Sequence, residues 1–317
     1  MLEKVQLFIL ARDRLDYLKE TLTSATRQTQ NSINLEIIVS DNSDTDNVKN
    51  FMDQHYRSIK YIRRSPPSTV WQHFRAVIEE ATSEYIVIFH DDDILLPDFC
   101  ERMVEKLRNN KHVAAIGCNA IKIDTYGREI GTFHSRKNDV LIDDEKWFLR
   151  QYVPTTKEEK GIAPFPSYCY RLAALNADDV GERDGGACAD ATFVSKILRF
   201  GKIIWLAEPL IKYRIHSGSG SARIHIDDYR KLWRYMVSIG IDKRDLEFSS
   251  WRYGTWFHWH LKTTETIFGL LTPNSWRSAT IQRIFLKKFL KRPGRTFLKL
   301  LFGYWLYVMF NKKNCRV

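Results

Sequence analysis

The stretch 84–98, EYIVIFHDDDILLPD, decides how this chain can fold. It opens with an apolar run at 85–89 that is long enough for one buried strand, and the aspartate triplet 91–93 follows where that strand ends. Adjacent carboxylates repel one another, and they are unfavourable beside buried residues unless water or a cation neutralises them. Hard oxygen ligands of this kind suit Mg²⁺ or Mn²⁺. The stretch therefore predicts a metal site or, alternatively, a solvated turn in which Asp93 or Asp98 caps the next helix.

Apolar runs of strand length alternate with segments of helical spacing on both sides of this stretch. These patterns predict strands at 5–10, 35–39, 59–62 and 85–89, and helices at 15–28, 48–56, 70–81 and 97–109. Strands that are apolar on both faces and separated by helices imply a mostly parallel sheet covered on both sides. Such sheets bind ligands at the carboxyl ends of their strands. The loops 11–14, 41–44 and 90–93 all fall at that edge.

The pattern is less regular in the second half of the chain. It predicts a strand at 113–123, loops with one helix near Trp147 over 124–160, an ordered segment at 166–170, a helix at 189–200 and a strand at 203–206. No glycine-rich phosphate loop of the GxxxxGK[ST] or GxGxxG type follows the strands. The phosphates of a bound nucleotide would therefore need another partner, and a metal held by carboxylates can provide it.

Length and composition are those of a folded soluble protein. At 317 residues the chain can form one large domain or a catalytic domain with an appendage. Its 44% hydrophobic and 27% charged residues are ordinary values. The five cysteines form no CxxC pair, so we expect reduced, structural thiols. The N-terminal apolar segment is shorter than the core of a signal peptide, about 7–15 residues, and this favours a cytoplasmic protein.

The net charge of +11 is concentrated at the C-terminal end. No acidic residue follows Glu265, whereas eleven Lys and Arg residues lie between Arg277 and Arg316. The other 38 basic residues match the 38 acidic ones in number, so the final segment carries the whole excess. A nucleic-acid-binding domain would spread its positive charge differently. We therefore expect no nucleic acid partner.

The segment 251–317 is also dense in aromatic residues. On a predicted helix at 278–290 the apolar residues share one face, and the lysines lie towards its flanks. Basic amphipathic helices lie in the membrane interface and are attracted to anionic lipid. The uncharged run 300–310 is well short of the roughly 20 residues that span a bilayer. The pattern predicts peripheral membrane association; the alternative is a helical hairpin that packs on the catalytic domain or on a partner in a homo-oligomer.

Several of these segments together resemble the family 2 glycosyltransferases. The loop Ala11-Arg12-Asp13-Arg14 resembles the family's Asn-Arg segment after the first strand, and the residues VSDNS at 39–43 match its V-D-D/N-x-S motif. Residues 89–97 are close to the His-Asp-Asp-Asp variant of its DxD-type metal-binding loop and Leu-Pro turn. An acidic residue at the start of a helix and the sequence YRIH at 213–216 match later motifs. The resemblance covers about residues 4–220.

The resemblance implies a GT-A fold, a Rossmann-like α/β arrangement in which helices flank a mostly parallel sheet. It implies a catalytic domain at 1–222, with a nucleotide-sugar half at about 1–123 and an acceptor half at about 124–222. A helical region at 223–317 completes the chain. The implied reaction is an inverting transfer from a UDP- or dTDP-linked sugar to a hydroxyl of a lipid-linked or cell-surface glycan. The implied location is the cytoplasmic face of a bacterial membrane, which the enzyme contacts peripherally.

The same resemblance implies roles for the acidic loop. Asp91 and Asp92 are the candidate ligands of Mn²⁺ or Mg²⁺, with Asp93 as a further one. Asp92 is the implied direct ligand, Asp91 contacts the ribose or a metal-bound water, and Asp93 supports the loop. His90 stands at a position that is often acidic in the family. His216 adds a contact to the metal or the diphosphate; the alternative is an ordinary surface histidine.

A general base must take the proton of the acceptor hydroxyl in an inverting transfer. The resemblance implies Asp190, although the family often has Glu-Asp where this chain has Ala189-Asp190. The alternative is that Asp190 caps the helix that follows it. Asp184 and Glu182 are the fallback candidates for the base.

Other residues are candidates for donor binding. Ala11 and Arg12 lie in the loop after the first strand. The Asp41 carboxylate can accept a hydrogen bond from the imide N–H of uracil or thymine, or it can form an Asx-turn. His73 and Arg75 either face the nucleotide or are solvated helix residues.

Two other functions stay open. A sugar nucleotidyltransferase also combines an α/β sheet with a carboxylate-bound metal, but it normally has a glycine-rich, basic loop after the first strand. The loop Ala11-Arg12-Asp13-Arg14 contains no glycine. The second alternative is a non-catalytic protein of the same fold that binds membranes or polyanions.

Overall fold

A computed structural model describes residues 2–151, 162–216, 218 and 226–242. Strands and helices alternate in its first half, which confirms the predicted α/β pattern. The elements are β1 (Glu3–Ala11), α1 (Leu15–Thr26), β2 (Ile33–Asp41), α2 (Asn47–His55), β3 (Lys60–Arg63), α3 (Val70–Glu80), β4 (Tyr85–His90), β5 (Ile94–Leu95) and α4 (Phe99–Asn109).

The second half adds the rest of the sheet and three further helices. The elements are β6 (Val113–Ile123), β7 (Glu129–Thr132), β8 (Val140–Ile142), α5 (Glu145–Arg150), β9 (Tyr168–Arg171), α6 (Ala189–Ile197), β10 (Lys202–Arg214) and α7 (Ile226–Ser238).

Two features of this half differ from the prediction. The polar region expected to be loops contains β7 and β8 beside the helix at Trp147. All four residues of β7 are exposed, so its sequence has no apolar alternation, and pairing with β6 defines it as a strand. The last strand continues from Leu206 to Arg214, because shifts in its register on either side of Pro209 interrupt the apolar run without ending the pairing.

The ten described strands form one sheet, in which eight follow the order β3-β2-β1-β4-β9-β6-β10-β5, while β7 pairs with β6 and β8 pairs with β10. The pairs β3/β2, β2/β1, β1/β4 and β6/β10 are parallel. The short strand β9 is antiparallel to both of its neighbours, β4 and β6. The short strands β5, β7 and β8 are also antiparallel to their neighbours, so the sheet is mixed, and its six other strands run in one direction, as predicted for the main part of the sheet.

Hydrophobic cores cover both faces of the sheet. Alternate residues of each strand point to opposite faces, so that Phe8 and Ile88 belong to one core and Ile9 and Phe89 to the other. Helices α3, α5, α6 and α7 cover the first face, and α1, α2 and α4 cover the second. This two-sided burial explains why the strands are apolar without polar alternation.

The strand register places the predicted loops at one edge. Ala11 pairs with Asp41 across β1 and β2, and Leu10 pairs with His90 across β1 and β4. The loops that follow these strands therefore meet at the carboxyl edge of the sheet, as the sequence predicted.

Helix α7 lies within the predicted C-terminal region, and its Leu232 and Met236 are buried in the core on the first face of the sheet. The basic and aromatic segment 251–317 lies outside the described residues. Among the helices that the structure describes, none combines the length and the apolar character needed to cross a membrane.

Candidate active site at the carboxyl edge of the sheet

The aspartate triplet after β4 is buried. Asp91, Asp92 and Asp93 are only 0%, 6% and 1% exposed, so the solvated-turn alternative is wrong. The capping alternative is wrong as well. Asp98 begins α4 without a side-chain cap, and Asp93 Oδ1 accepts a hydrogen bond from the main-chain N–H of Arg214 at 2.8 Å. Buried carboxylates require charged or hydrogen-bonding partners, and the surrounding elements supply them.

The loop after β1 supplies the first set of partners. The guanidinium of Arg14 forms ion pairs with both Asp91 and Asp92. The main-chain N–H of Arg12 donates to Asp91 Oδ2 at 2.8 Å, while the Arg12 side chain lies near Asp44. Arg14 was not among the predicted site residues. Its position at the end of a loop on the carboxyl edge is the signal in the sequence that points to it.

The end of β10 supplies the second set. Arg214 donates from Nε to the carbonyl of Asp92 at 2.9 Å, and its Nη2 donates to Glu20 at 2.8 Å. The Arg214 guanidinium also lies over the ring of Tyr17. Within α1, the hydroxyl of Thr21 donates to the carbonyls of Asp91 and Asp93. Side chains of β10 and α1 therefore both bind the main chain of the acidic loop.

His216 also joins this site. Its Nε2 lies 2.9 Å from Asp92 Oδ2, and its side chain is only 8% exposed. The surface-histidine alternative is therefore wrong. The ring of Tyr17 packs against it at 5.2 Å between ring centroids.

The three carboxyl groups differ in their electrostatics. Burial raises the pKa of Asp91, even though Arg14 opposes the shift. Burial also raises the pKa of Asp93, and the neighbouring Asp92 adds to the effect. For Asp92 burial acts in the same direction, but Arg14, together with His90 and His216, outweighs it and lowers the pKa. Asp92 is therefore the carboxyl group of the loop that most favours the ionised form.

A group of side chains in the described part of the chain has the geometry of a cation site. His90, Asp92 and Asp93 each offer a ligand atom, and these atoms lie within 4.8 Å of one another. Asp93 Oδ2 is buried and makes no hydrogen bond, so it can accept a further cationic partner. Carboxylate oxygens with one imidazole suit Mn²⁺ or Mg²⁺. These residues therefore fit a divalent metal. Compared with the ligands expected from the sequence, the group includes His90 and does not include Asp91 or His216.

Asp41 lies at the end of β2 and is fully buried. Its Oδ1 accepts a hydrogen bond from the main-chain N–H of Ser43 at 2.9 Å, which is the geometry of an Asx-turn. Its Oδ2 accepts hydrogen bonds from the hydroxyl of Tyr61 at 2.5 Å and from Arg63 Nη1 at 2.6 Å. The carboxylate is thus oriented by three donors.

His73 is buried in α3, so it is not a solvated helix residue. Its Nε2 lies 2.7 Å from the hydroxyl of Ser40, which also accepts a hydrogen bond from Arg64 Nε at 3.0 Å. Burial lowers the pKa of His73 to about 4, so the imidazole is neutral at pH 7. Arg75 lies on the surface, where it pairs with Glu79 and Asp178.

Asp190 occupies the first turn of α6. The N-cap of this helix is Cys188, so the capping alternative for Asp190 is wrong. The Asp190 carboxylate accepts a hydrogen bond from the N–H of Ala191 at 2.8 Å, and burial raises its pKa to about 6. Of the fallback candidates, Asp184 forms an ion pair with Lys196 and Glu182 is exposed.

A central sheet with helices on both faces and a buried acidic loop at its carboxyl edge is the arrangement of the GT-A fold, which similar solved structures share. The sequence profile of glycosyl transferase family 2 matches residues 7–178, more than half of the chain. The chain belongs to this family, which confirms the resemblance seen in its motifs.

Individual relatives are distant. An "uncharacterized glycosyltransferase" of Haemophilus influenzae is 24% identical over 259 residues, which cover 75% of this chain and 76% of the relative. The crystal structure of S. aureus TarS 1–349 in complex with UDP-GlcNAc has a TM-score of 0.61 at 14% identity, and the similarity covers 82% of this chain and 76% of TarS 1–349. The structure of TarS 1–349 without that ligand has a TM-score of 0.57, covering 82% and 75%. These structures show that the fold is shared.

Proposed function

We propose that this protein transfers a sugar from a UDP- or dTDP-linked donor to a hydroxyl of a glycan, with inversion at the anomeric carbon. One observation carries the proposal. A group formed by His90 and the buried Asp92 and Asp93 lies at the carboxyl edge of the sheet, in a chain that belongs to glycosyl transferase family 2.

The nucleotide side of the proposal rests on Asp41 and its surroundings. A carboxylate has about four lone-pair sites, and Asp41 uses three of them for Ser43, Tyr61 and Arg63. The remaining site suits the imide N–H of uracil or thymine, which cytosine and adenine lack. Ala11, Arg12 and His73 would line the same side of the donor. The binding of UDP-GlcNAc by TarS, a protein of the same fold, supports this choice.

The diphosphate side rests on the acidic loop. Asp92 and Asp93, with His90 and His216, would hold Mn²⁺ or Mg²⁺. When bound, this cation offsets the negative charge that develops on the departing phosphate. Asp91 would hold the main chain of the loop after β1 through the N–H of Arg12 and contact the ribose.

The acceptor side rests on Asp190. Its carboxylate would take the proton of the attacking hydroxyl, from the face opposite to the leaving group. With a pKa of about 6 it is ionised at neutral pH and is a stronger base than an exposed aspartate.

The acceptor and the location are proposed from the sequence alone. A lipid-linked or cell-surface glycan, reached from the cytoplasmic face of the membrane, agrees with a basic and aromatic segment at 251–317 that suits anionic lipid. The same segment is compatible with assembly into a homo-oligomer.

The first test is hydrolysis of the donor by the purified full-length protein. With Mn²⁺ present, we expect release of UDP from UDP-sugars or of dTDP from dTDP-sugars, and chelation by EDTA should abolish it. Asp92→Asn keeps the side-chain volume but removes the charge, and it should reduce the rate by at least about 100-fold, as the loss of one charge-stabilising group does in other enzymes. Asp16→Asn, on an almost fully exposed aspartate in α1, is the control with the same charge change.

Other outcomes would identify the alternatives. Formation of a nucleotide sugar and pyrophosphate from a sugar 1-phosphate and UTP or dTTP would identify a nucleotidyltransferase. If no donor is turned over and Asp92→Asn has no effect on any measured property, the enzymatic proposal is wrong and a binding protein remains.

A further inference from the structure

We propose that Arg14 is a built-in counter-ion of the acidic loop and that a divalent cation must displace it to bind. This inference rests on the proposed metal site and adds a positioning role for a residue outside it. The sequence motifs drew attention to the loop that contains Arg14 but assigned this residue no role.

Three consecutive carboxyl groups are almost completely buried here, and burial without a partner is strongly unfavourable. The Arg14 guanidinium contacts two of them, Asp91 and Asp92, at the same time. A planar guanidinium is well suited to bridge two carboxylates. Arg14 therefore supplies the positive charge that lets the loop fold with its carboxylates inside.

Asp92 belongs to two competing arrangements. Its Oδ2 accepts a hydrogen bond from Arg14, and the same side chain is part of the group that could hold a cation together with His90 and Asp93. A divalent cation placed at that group would lie close to the guanidinium, and like charges repel at this range. Both positive charges cannot be accommodated favourably on the Asp92 carboxylate.

Arg14 is able to leave, whereas the other arginine at the site is not. The main chain of Arg14 is fixed at the start of α1, where its carbonyl accepts a hydrogen bond from Leu18, but its side chain is 30% exposed. Arg214 is 2% exposed, and its guanidinium is bound to Glu20 and lies over Tyr17. The exchange therefore needs only a rotation of the Arg14 side chain into solvent.

The experiment is a calorimetric titration of the metal-free full-length protein with Mn²⁺. Arg14→Ala removes the competitor, so we expect it to bind Mn²⁺ about tenfold more tightly than the wild type, while its metal-free form melts at a lower temperature. Saturating Mn²⁺ should return the melting temperature close to that of the wild type. Arg14→Lys keeps one charge but cannot bridge two carboxylates, so its affinity should be intermediate.

Lys19→Ala is the matched control, because it removes one positive charge from an exposed position on the same helix. Its affinity for Mn²⁺ should equal that of the wild type. Unchanged or weaker binding of Mn²⁺ by both Arg14 variants would overturn the inference, even if the wild type binds the metal. If the wild type itself binds no Mn²⁺, the proposed metal site fails, and the two failures are therefore distinguishable. Should Arg14→Ala not fold, the titration of Arg14→Lys decides alone.

Discussion

Two aspartates on either side of the turn before α6 have opposite electrostatic environments. Burial raises the pKa of Asp190 to about 6, and among the described residues no basic side chain opposes this shift. Burial acts on Asp184 in the same direction, but the ion pair with Lys196 outweighs it and lowers the pKa. Their sequence positions are equally compatible with a catalytic base. Their surroundings give Asp184 a structural role and leave Asp190 as the better base.

Asp190→Asn should therefore abolish sugar transfer and yet stabilise the fold. The native protein binds more protons at this carboxyl group than the unfolded chain does between pH of about 4 and about 6, so wild-type stability falls as the pH rises through this range. Asparagine does not titrate, and the variant should be more stable by up to about 3 kcal/mol above pH 6 but not below pH 4. Urea unfolding at several pH values measures this difference.

Asp184→Asn is the contrasting variant. The Asp184 carboxylate stabilises the fold at pH values above its unfolded pKa, and this stabilisation is lost as the pH falls. The variant should therefore be less stable than the wild type at pH 7.

The transfer rate of the wild type should decline as the pH falls below about 6, where Asp190 becomes protonated. If Asp190→Asn retains activity, or if it is destabilised at pH 8, the role given to Asp190 is wrong.

At the scale of elements, two glycines shape the turn before α6, and one of them, Gly186, lets α7 approach this turn. Gly186 has φ +60°, and a Cβ there would lie 2.8 Å from the Cα of Asp228 in α7. At Gly185 a Cβ would lie 2.7 Å from the carbonyl oxygen of Cys188. The turn that positions Asp190 is therefore packed directly beneath a helix that comes later in the chain.

Gly186→Ala should lower the free energy of unfolding by more than the cost of placing alanine in a left-handed conformation. A left-handed conformation costs a residue with a Cβ roughly 1–2 kcal/mol, and the displacement of α7 adds a second contribution of about the same size. Gly127→Ala is the matched control, because Gly127 also has a positive φ, at +81°, but its nearest neighbour would be 4.0 Å away. Equal losses in the free energy of unfolding for both variants would show that α7 does not constrain this turn.

At the scale of the whole molecule, the charge is divided between a balanced catalytic domain and a basic C-terminal segment. Attraction of a lysine to an anionic membrane contributes about 1 kcal/mol near the surface. Replacement of Lys287, Lys288 and Lys291 by Gln should therefore weaken binding to anionic vesicles by about 100-fold. Co-sedimentation of the full-length protein with vesicles that contain phosphatidylglycerol measures this binding.

The matched control replaces three exposed lysines of the catalytic domain, Lys4, Lys49 and Lys60, by Gln. This variant has the same net charge as the C-terminal variant, and its binding to anionic vesicles should stay close to that of the wild type. Equal losses for both variants would show that net charge, and not the C-terminal segment, determines the attraction. Unchanged binding after the C-terminal replacements would contradict peripheral association through 251–317.

The amino-acid sequence alone determined the alternation of strands and helices and the loops that meet at the carboxyl edge. Both follow from local properties, because a strand buried on two faces must be apolar and its polar loop must lie at its end. The aspartate triplet was visible for the same reason, as a run of charges directly after a buried strand.

Only the tertiary structure decided which groups neutralise those charges. Arg214 is 121 residues from Asp93, and Arg14 is 78 residues from Asp92. Arg14 lies in a loop at the carboxyl edge and Arg214 in the segment YRIH, but neither position shows which carboxylate the side chain pairs with. The partners of a buried charge depend on which distant segments the fold brings within a few ångströms, and that is a property of packing and not of periodicity.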